Sequence, residues 1–160
     1  MKRQQSGFTL IELVIVITIL AILAAVALPR FVALQTQARA AKVQAIYGSV
    51  KAASALAHAA CLVDRARTDG TTPTCTTTAG TVNMDGLNVD MANQYPASTA
   101  TGILAAADLA TANDGIATGT AGTVLNIDIN GATTAAECRV SYKAATSTEA
   151  PVITPVTTGC

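Results

Sequence analysis

At 160 residues the chain has room for one globular domain besides a membrane segment. Ten basic and ten acidic residues cancel, leaving no electrostatic footprint for nucleic acid. The 51% hydrophobic content carries only 3% aromatics and no tryptophan, so the core outside any membrane helix is expected to be thin. One histidine, carboxylates scattered singly and serines without a nearby base leave neither a nucleophile nor an acid–base pair, so no enzymatic activity and no cofactor are expected.

The chain opens with Lys2 and Arg3, then Ser6-Gly7, then an apolar run from Phe8 to Leu28 in which only Thr9, Glu12 and Thr18 are polar. As a helix this run spans about 32 Å, one hydrocarbon core. An ordinary secretory signal has a shorter apolar region that ends in its small-residue cleavage site. Here the small-residue break lies in front of the run, so a cut at Gly7 leaves the hydrophobic helix on the product. Lys2 and Arg3 keep the leader cytoplasmic by the positive-inside rule, with Arg30 opposing them weakly, and everything from Pro29 onward lies outside. Cys61, Cys75, Cys138 and Cys160 then occupy a compartment where disulfides persist, with three possible connectivities. Pro29 predicts a kink or local unwinding between Ala25 and Pro29.

The basic leader, Gly7-Phe8-Thr9-Leu10-Ile11-Glu12 and the apolar run ending at Pro29 together resemble the type IV prepilin signature. The resemblance implies cleavage after Gly7 by a prepilin peptidase and N-methylation of the new first residue, Phe8. Glu12 matches the family's early glutamate, and Pro29 its proline near the end of the span. The implied architecture is α+β, the type IV pilin fold: a long N-terminal helix, half transmembrane and half amphipathic, packed on a small antiparallel sheet. The implied divisions are a leader at 1–7, a transmembrane and filament-core helix at 8–29, the amphipathic half at 30–62 and a β-rich head at 63–160. The implied partners are other copies of the chain in a helical filament, the prepilin peptidase and the pilus assembly machinery. The prepilin would reside in the bacterial inner membrane and the assembled pilus on the cell surface. A carboxylate inside a spanning helix is rare without a partner, and in a filament the available cation for Glu12 is the α-amino group of Phe8 on a neighbouring chain. The pairing Cys61–Cys75 with Cys138–Cys160 is favoured because each pair is close in sequence and because many type IV pilins tie the C-terminal end to a late strand.

Past the span, residues 30–62 are rich in helix formers, and Val43, Ile46, Val50, Ala53, Ala57 and Cys61 recur at three- and four-residue spacing as one apolar stripe. His58 shares a face with Cys61, but no second histidine exists to extend a zinc site, so it reads as a partly buried helix histidine and no metal is expected. Residues 64–80 are rich in Thr, Gly, Asp and Pro and read as a loop. Alternating Val82 and Met84, a turn at Asp85-Gly86, then Leu87, Val89 and Met91 predict a hairpin. Gln94-Tyr95-Pro96 reads as a turn, followed by a short Ala-rich helix from a Ser98 or Thr99 cap through Ala110. This combination resembles the mannose-sensitive haemagglutinin class of pilins. Residues 113–122 are expected to be irregular. A strand through Val124, Ile127 and Ile129 ends at a second hairpin signal, Asn130-Gly131, and residues 138–143 form another strand. Pro151 and Pro155 confine the tail to an edge strand or extended loop. Asp85, Asp90, Asp114 and Asp128 lack the spacing of a calcium loop.

The leading functional expectation is a pilus subunit serving adhesion, motility, aggregation or DNA uptake. The alternative is a type II secretion pseudopilin forming a periplasmic piston. The resemblance separates the two in the C-terminal half, where the main pseudopilins lack the late disulfide and carry a calcium site.

Overall fold

The computed structural model describes residues 8–160, and the chain divides into two units, Met1–Gln37 and Ala38–Cys160. One helix, α1 (Leu10–Arg65), supplies residues to both. It runs to Arg65 rather than to residue 62. The helix also continues through Pro29 without the local unwinding expected there. Proline removes only one backbone donor, and the hydrogen bonds of the neighbouring turns hold the segment helical.

In the first unit every residue from Phe8 to Gln37 is exposed within the single chain. That suits a segment whose surroundings are lipid or other chains, and α1 is long and apolar enough to cross a membrane.

In the second unit the stripe read from the sequence is the buried face of α1: Val43, Ile46, Val50, Ala53, Ser54, Ala57 and Cys61. It is covered by two antiparallel sheets, where a single small one was expected. The first contains β1 (Ala79–Met84), β2 (Leu87–Ala92) and β3 (Tyr95–Pro96) in that order. The second contains β4 (Ile116–Ala121), β5 (Val124–Ile129), β6 (Arg139–Lys143) and β7 (Val152–Val156), again in chain order. Val43, Ile46 and Val50 pack with Ile116, Leu125, Ile127, Ile129, Val140 and Tyr142 from the second sheet. Further along the helix, Ala57 and Cys61 pack with Cys75 and with Val82, Val89 and Met91 from the first sheet.

Turn chemistry explains which sequence signals became hairpins. Asp85 and Gly86 both have positive φ, 49° and 83°, as a two-residue turn of the primed type requires, and Met84 pairs with Leu87 across it. Asn93 and Gln94 do the same at 51° and 69°, so Tyr95-Pro96 is strand β3 rather than the turn it was read as. Asn130-Gly131 is a turn but not a two-residue hairpin connection, although β5 and β6 do pair antiparallel. The ladder resumes only at Arg139, after a 3-10 turn at Ala135–Glu137. The helix expected to run through Ala110 is reduced to a π-turn at Ala100–Leu104 and two further residues. Thr99 does cap it, its hydroxyl accepting the Gly102 amide at 3.0 Å. Gly102 then leaves helical geometry where a Cβ would stand 2.3 Å from the Ala97 carbonyl oxygen.

Residues 116–121, expected to be irregular, form β4. Its sequence, Ile-Ala-Thr-Gly-Thr-Ala, has no apolar alternation, and only Ile116 is buried. The strand exists because β5 offers it a complete ladder through the Gly122-Thr123 turn. β7 is an edge strand, which accommodates Pro155 opposite Val140.

Candidate assembly site

The residues singled out for processing and assembly cluster at the start of α1. Gly7, the expected cleavage position, lies outside the described residues, as does the leader 1–7. Phe8 and Thr9 precede the helix, and Phe8 is 88% exposed. Thr9 and Glu12 close on one another: the Thr9 amide and hydroxyl donate to Glu12 Oε2 at 3.0 and 2.8 Å, and the Glu12 amide donates to Thr9 Oγ1 at 3.3 Å. This is a reciprocal capping box, legible in the sequence as Thr-x-x-Glu at a helix start but missed in favour of an intermolecular role for Glu12. The box satisfies backbone donors that the first turn leaves without partners. Thr18, the remaining polar residue of the run, returns its hydroxyl to the Ile15 carbonyl at 2.8 Å. The polar side chains of the apolar run are thus bonded within the chain, as a segment without access to water requires.

Chemically, this terminus presents an apolar cylinder carrying one carboxylate in its first turn. Both bonds to that carboxylate from the described residues fall on Oε2. Pro29 lies further along the same exposed segment.

The four cysteines form two bonds, Cys61–Cys75 with Cα atoms 5.4 Å apart and Cys138–Cys160 at 4.8 Å. The second draws the tail onto the β5–β6 connection, where the Gly159 amide donates to the Glu137 carbonyl at 2.9 Å and the Thr134 amide to the Gly159 carbonyl at 3.1 Å. Two cations of α1 fasten the same region. Arg39 donates from Nε to the Cys160 carbonyl at 2.6 Å, and Lys42 donates to the Asp114 and Gly115 carbonyls. His58 stacks on Tyr95 with ring centroids 4.0 Å apart, and its Nδ1 lies 2.8 Å from the Gln94 carbonyl. A carbonyl only accepts, so Nδ1 carries the proton and the ring is committed to packing. Among the described residues no three His, Cys, Asp or Glu side chains gather as a metal site would require.

Residues 2–28 match the prokaryotic N-terminal methylation motif. The chain is 57% identical over 51 residues to the type IV narrow pilus major component PilA5 of Thermus thermophilus, a match covering 32% of this chain and 44% of that protein. It is 48% identical over 54 residues to the type II secretion system core protein G of Pseudomonas aeruginosa, covering 34% of this chain and 36% of that one. The matches therefore span less than half the length of either relative. No solved structure matches the chain significantly. The chain is thus type IV pilin-like, with an N-terminal methylation motif and relatives among both pilins and pseudopilins.

Proposed function

We propose that this chain is a non-enzymatic structural subunit that polymerises into a type IV pilus. In this reading a prepilin peptidase cuts after Gly7, Phe8 is N-methylated, and an assembly machinery extracts the subunit from the inner membrane into a surface filament. The observation carrying the proposal is the apolar N-terminal segment, exposed at every described residue from Phe8 to Gln37 and holding one carboxylate in its first turn. Bundling such segments buries their apolar surface, and the Phe8 amine of a neighbour supplies a cation for Glu12. The similarity to the pseudopilin supports a second reading, a periplasmic secretion piston. The Cys138–Cys160 bond favours the pilus, since the main pseudopilins resembled by the N-terminal half lack it. We leave the mannose-sensitive haemagglutinin class out of the proposal, because the helix behind Tyr95-Pro96 on which that likeness relied is a five-residue π-turn.

The capping box makes the test specific. Glu12→Gln keeps the side-chain acceptor of the box and removes the charge, whereas Thr9→Ala weakens the box and keeps the charge. If Glu12 pairs with a neighbour's amine, Glu12→Gln accumulates in the inner membrane, cleaved at Gly7 and without surface filaments, while Thr9→Ala retains filaments. Wild-type filament levels in Glu12→Gln, counted by electron microscopy of sheared cells, would overturn the assembly role. Filaments that stay within the periplasm and support protein export would favour the piston.

A further inference from the structure

The loop between α1 and β1 is fastened twice at one point. Asp64 lies one helical turn beyond Cys61, so both side chains leave the same face of α1. Its Oδ2 accepts the Thr74 amide at 2.7 Å, the Cys75 amide at 2.9 Å and the Thr74 hydroxyl at 3.2 Å, while Oδ1 meets Arg67 Nη1 at 3.4 Å. From the other side the Thr81 amide and the Thr76 amide close the strand around Cys75, donating to the Thr74 and Ala79 carbonyls at 3.1 and 2.8 Å. The fit requires Gly80, with φ of 133°, because a Cβ there would stand 2.1 Å from the Thr74 oxygen. Cys75 is therefore held at its own amide by a carboxylate projecting beside Cys61, with no contribution from sulfur.

We propose that Asp64 is a positioning residue for disulfide formation, seating the Thr74–Cys75 backbone so that Cys61 takes Cys75 in preference to Cys138 or Cys160. Oxidation proceeds by exchange with a small-molecule disulfide. While the loop is unseated, the Cys75 thiolate attacks one sulfur of that disulfide and releases one thiolate, leaving a mixed disulfide on Cys75. Asp64 then captures the Thr74 and Cys75 amides and brings the mixed disulfide onto Cys61. The Cys61 thiolate attacks Cys75 Sγ and expels the second thiolate. Two cysteine thiols become one disulfide, one small disulfide becomes two thiols, and the two protons pass to those thiols. The Cys138–Cys160 pair, aligned by the Gly159 and Thr134 backbone bonds, does not use Asp64 and serves as an internal reference. None of this depends on whether the chain builds a pilus or a piston.

The test is oxidative refolding of the full chain in detergent with oxidised glutathione, trapping thiols at intervals and mapping peptides. In Asp64→Ala the rate of Cys61–Cys75 closure relative to Cys138–Cys160 closure is expected to fall about tenfold, the scale of one lost hydrogen bond to a charged group, with mispaired species accumulating. Equal slowing of both closures, leaving the ratio unchanged, would show a general folding defect and overturn the proposal. A second measurement sets the order of cause. In Cys61→Ser, which cannot form the bond, the Thr74 and Cys75 amides are expected to stay protected from hydrogen exchange. Unprotected amides there would mean that the disulfide holds the carboxylate contact rather than the reverse.

Discussion

Tyr142 shows how one residue anchors an aromatic-poor core. It is fully buried on β6, and its hydroxyl donates to the Pro96 carbonyl at 2.7 Å, fastening the second sheet to the end of β3. Burial above all pushes its pKa up from 10.0 to about 12, against a smaller opposing effect of Ser54. The folded state thus holds the phenolic proton more tightly than the unfolded state. The resulting stability is complete below pH 10 and is lost as pH rises through about 12. Tyr142→Phe is expected to cost about 1 to 3 kcal/mol at neutral pH, because the Pro96 carbonyl keeps its burial and loses its donor. Denaturant unfolding at pH 7 and pH 11 checks both points: the mutant should be less stable at pH 7, and its loss on going to pH 11 should be smaller than that of the wild type. Asp64 titrates in the opposite direction. The Cys75 amide first, then the Thr74 groups and Arg67, hold its carboxyl below the ordinary range against a desolvation cost, so its fastening of the loop weakens only in acid.

Among the elements, β7 depends most on a covalent tie. It pairs with β6 alone, contains Pro155, and exposes Val152. Its attachment rests on one ladder, on the Cys138–Cys160 bond, and on the backbone bonds of Gly159 with Glu137 and Thr134. Cys160→Ser is expected to lower the stability of the second unit by about 2 to 5 kcal/mol. Exchange protection should be lost first on β7 and at Gly159, while β1 and β2 keep theirs. Uniform loss across both sheets in native conditions would contradict this local reading.

At the scale of the whole chain, the two units make different demands on their surroundings. The second buries its own core; the first exposes Leu10, Ile11, Ile15, Leu20 and Leu23. Mass spectrometry of assembled protein is expected to show a chain beginning at N-methylated Phe8 with both disulfides intact, lighter by the leader's seven residues than any form that keeps it. An intact Met1 in filaments would contradict the processing step.

The span, the methylation motif, the buried stripe of α1 and the Asp85-Gly86 hairpin were legible in the sequence, because each rests on local chemistry: apolar length, a short ordered motif, helical periodicity, a turn that needs positive φ. The Thr9–Glu12 box was equally local and could have been read. Other features were settled only by tertiary structure. β4 has no strand pattern and takes its conformation from the open edge of β5. Asn130-Gly131 carries a hairpin dipeptide, yet the tail docking at Glu137 and Cys138 draws the chain into a longer connection. Asp64 reads from the sequence only as the first residue of a loop, because the amides it holds lie ten and eleven residues later in a stretch without periodicity. Where a residue's partners are set by packing rather than by spacing along the chain, no local pattern announces them.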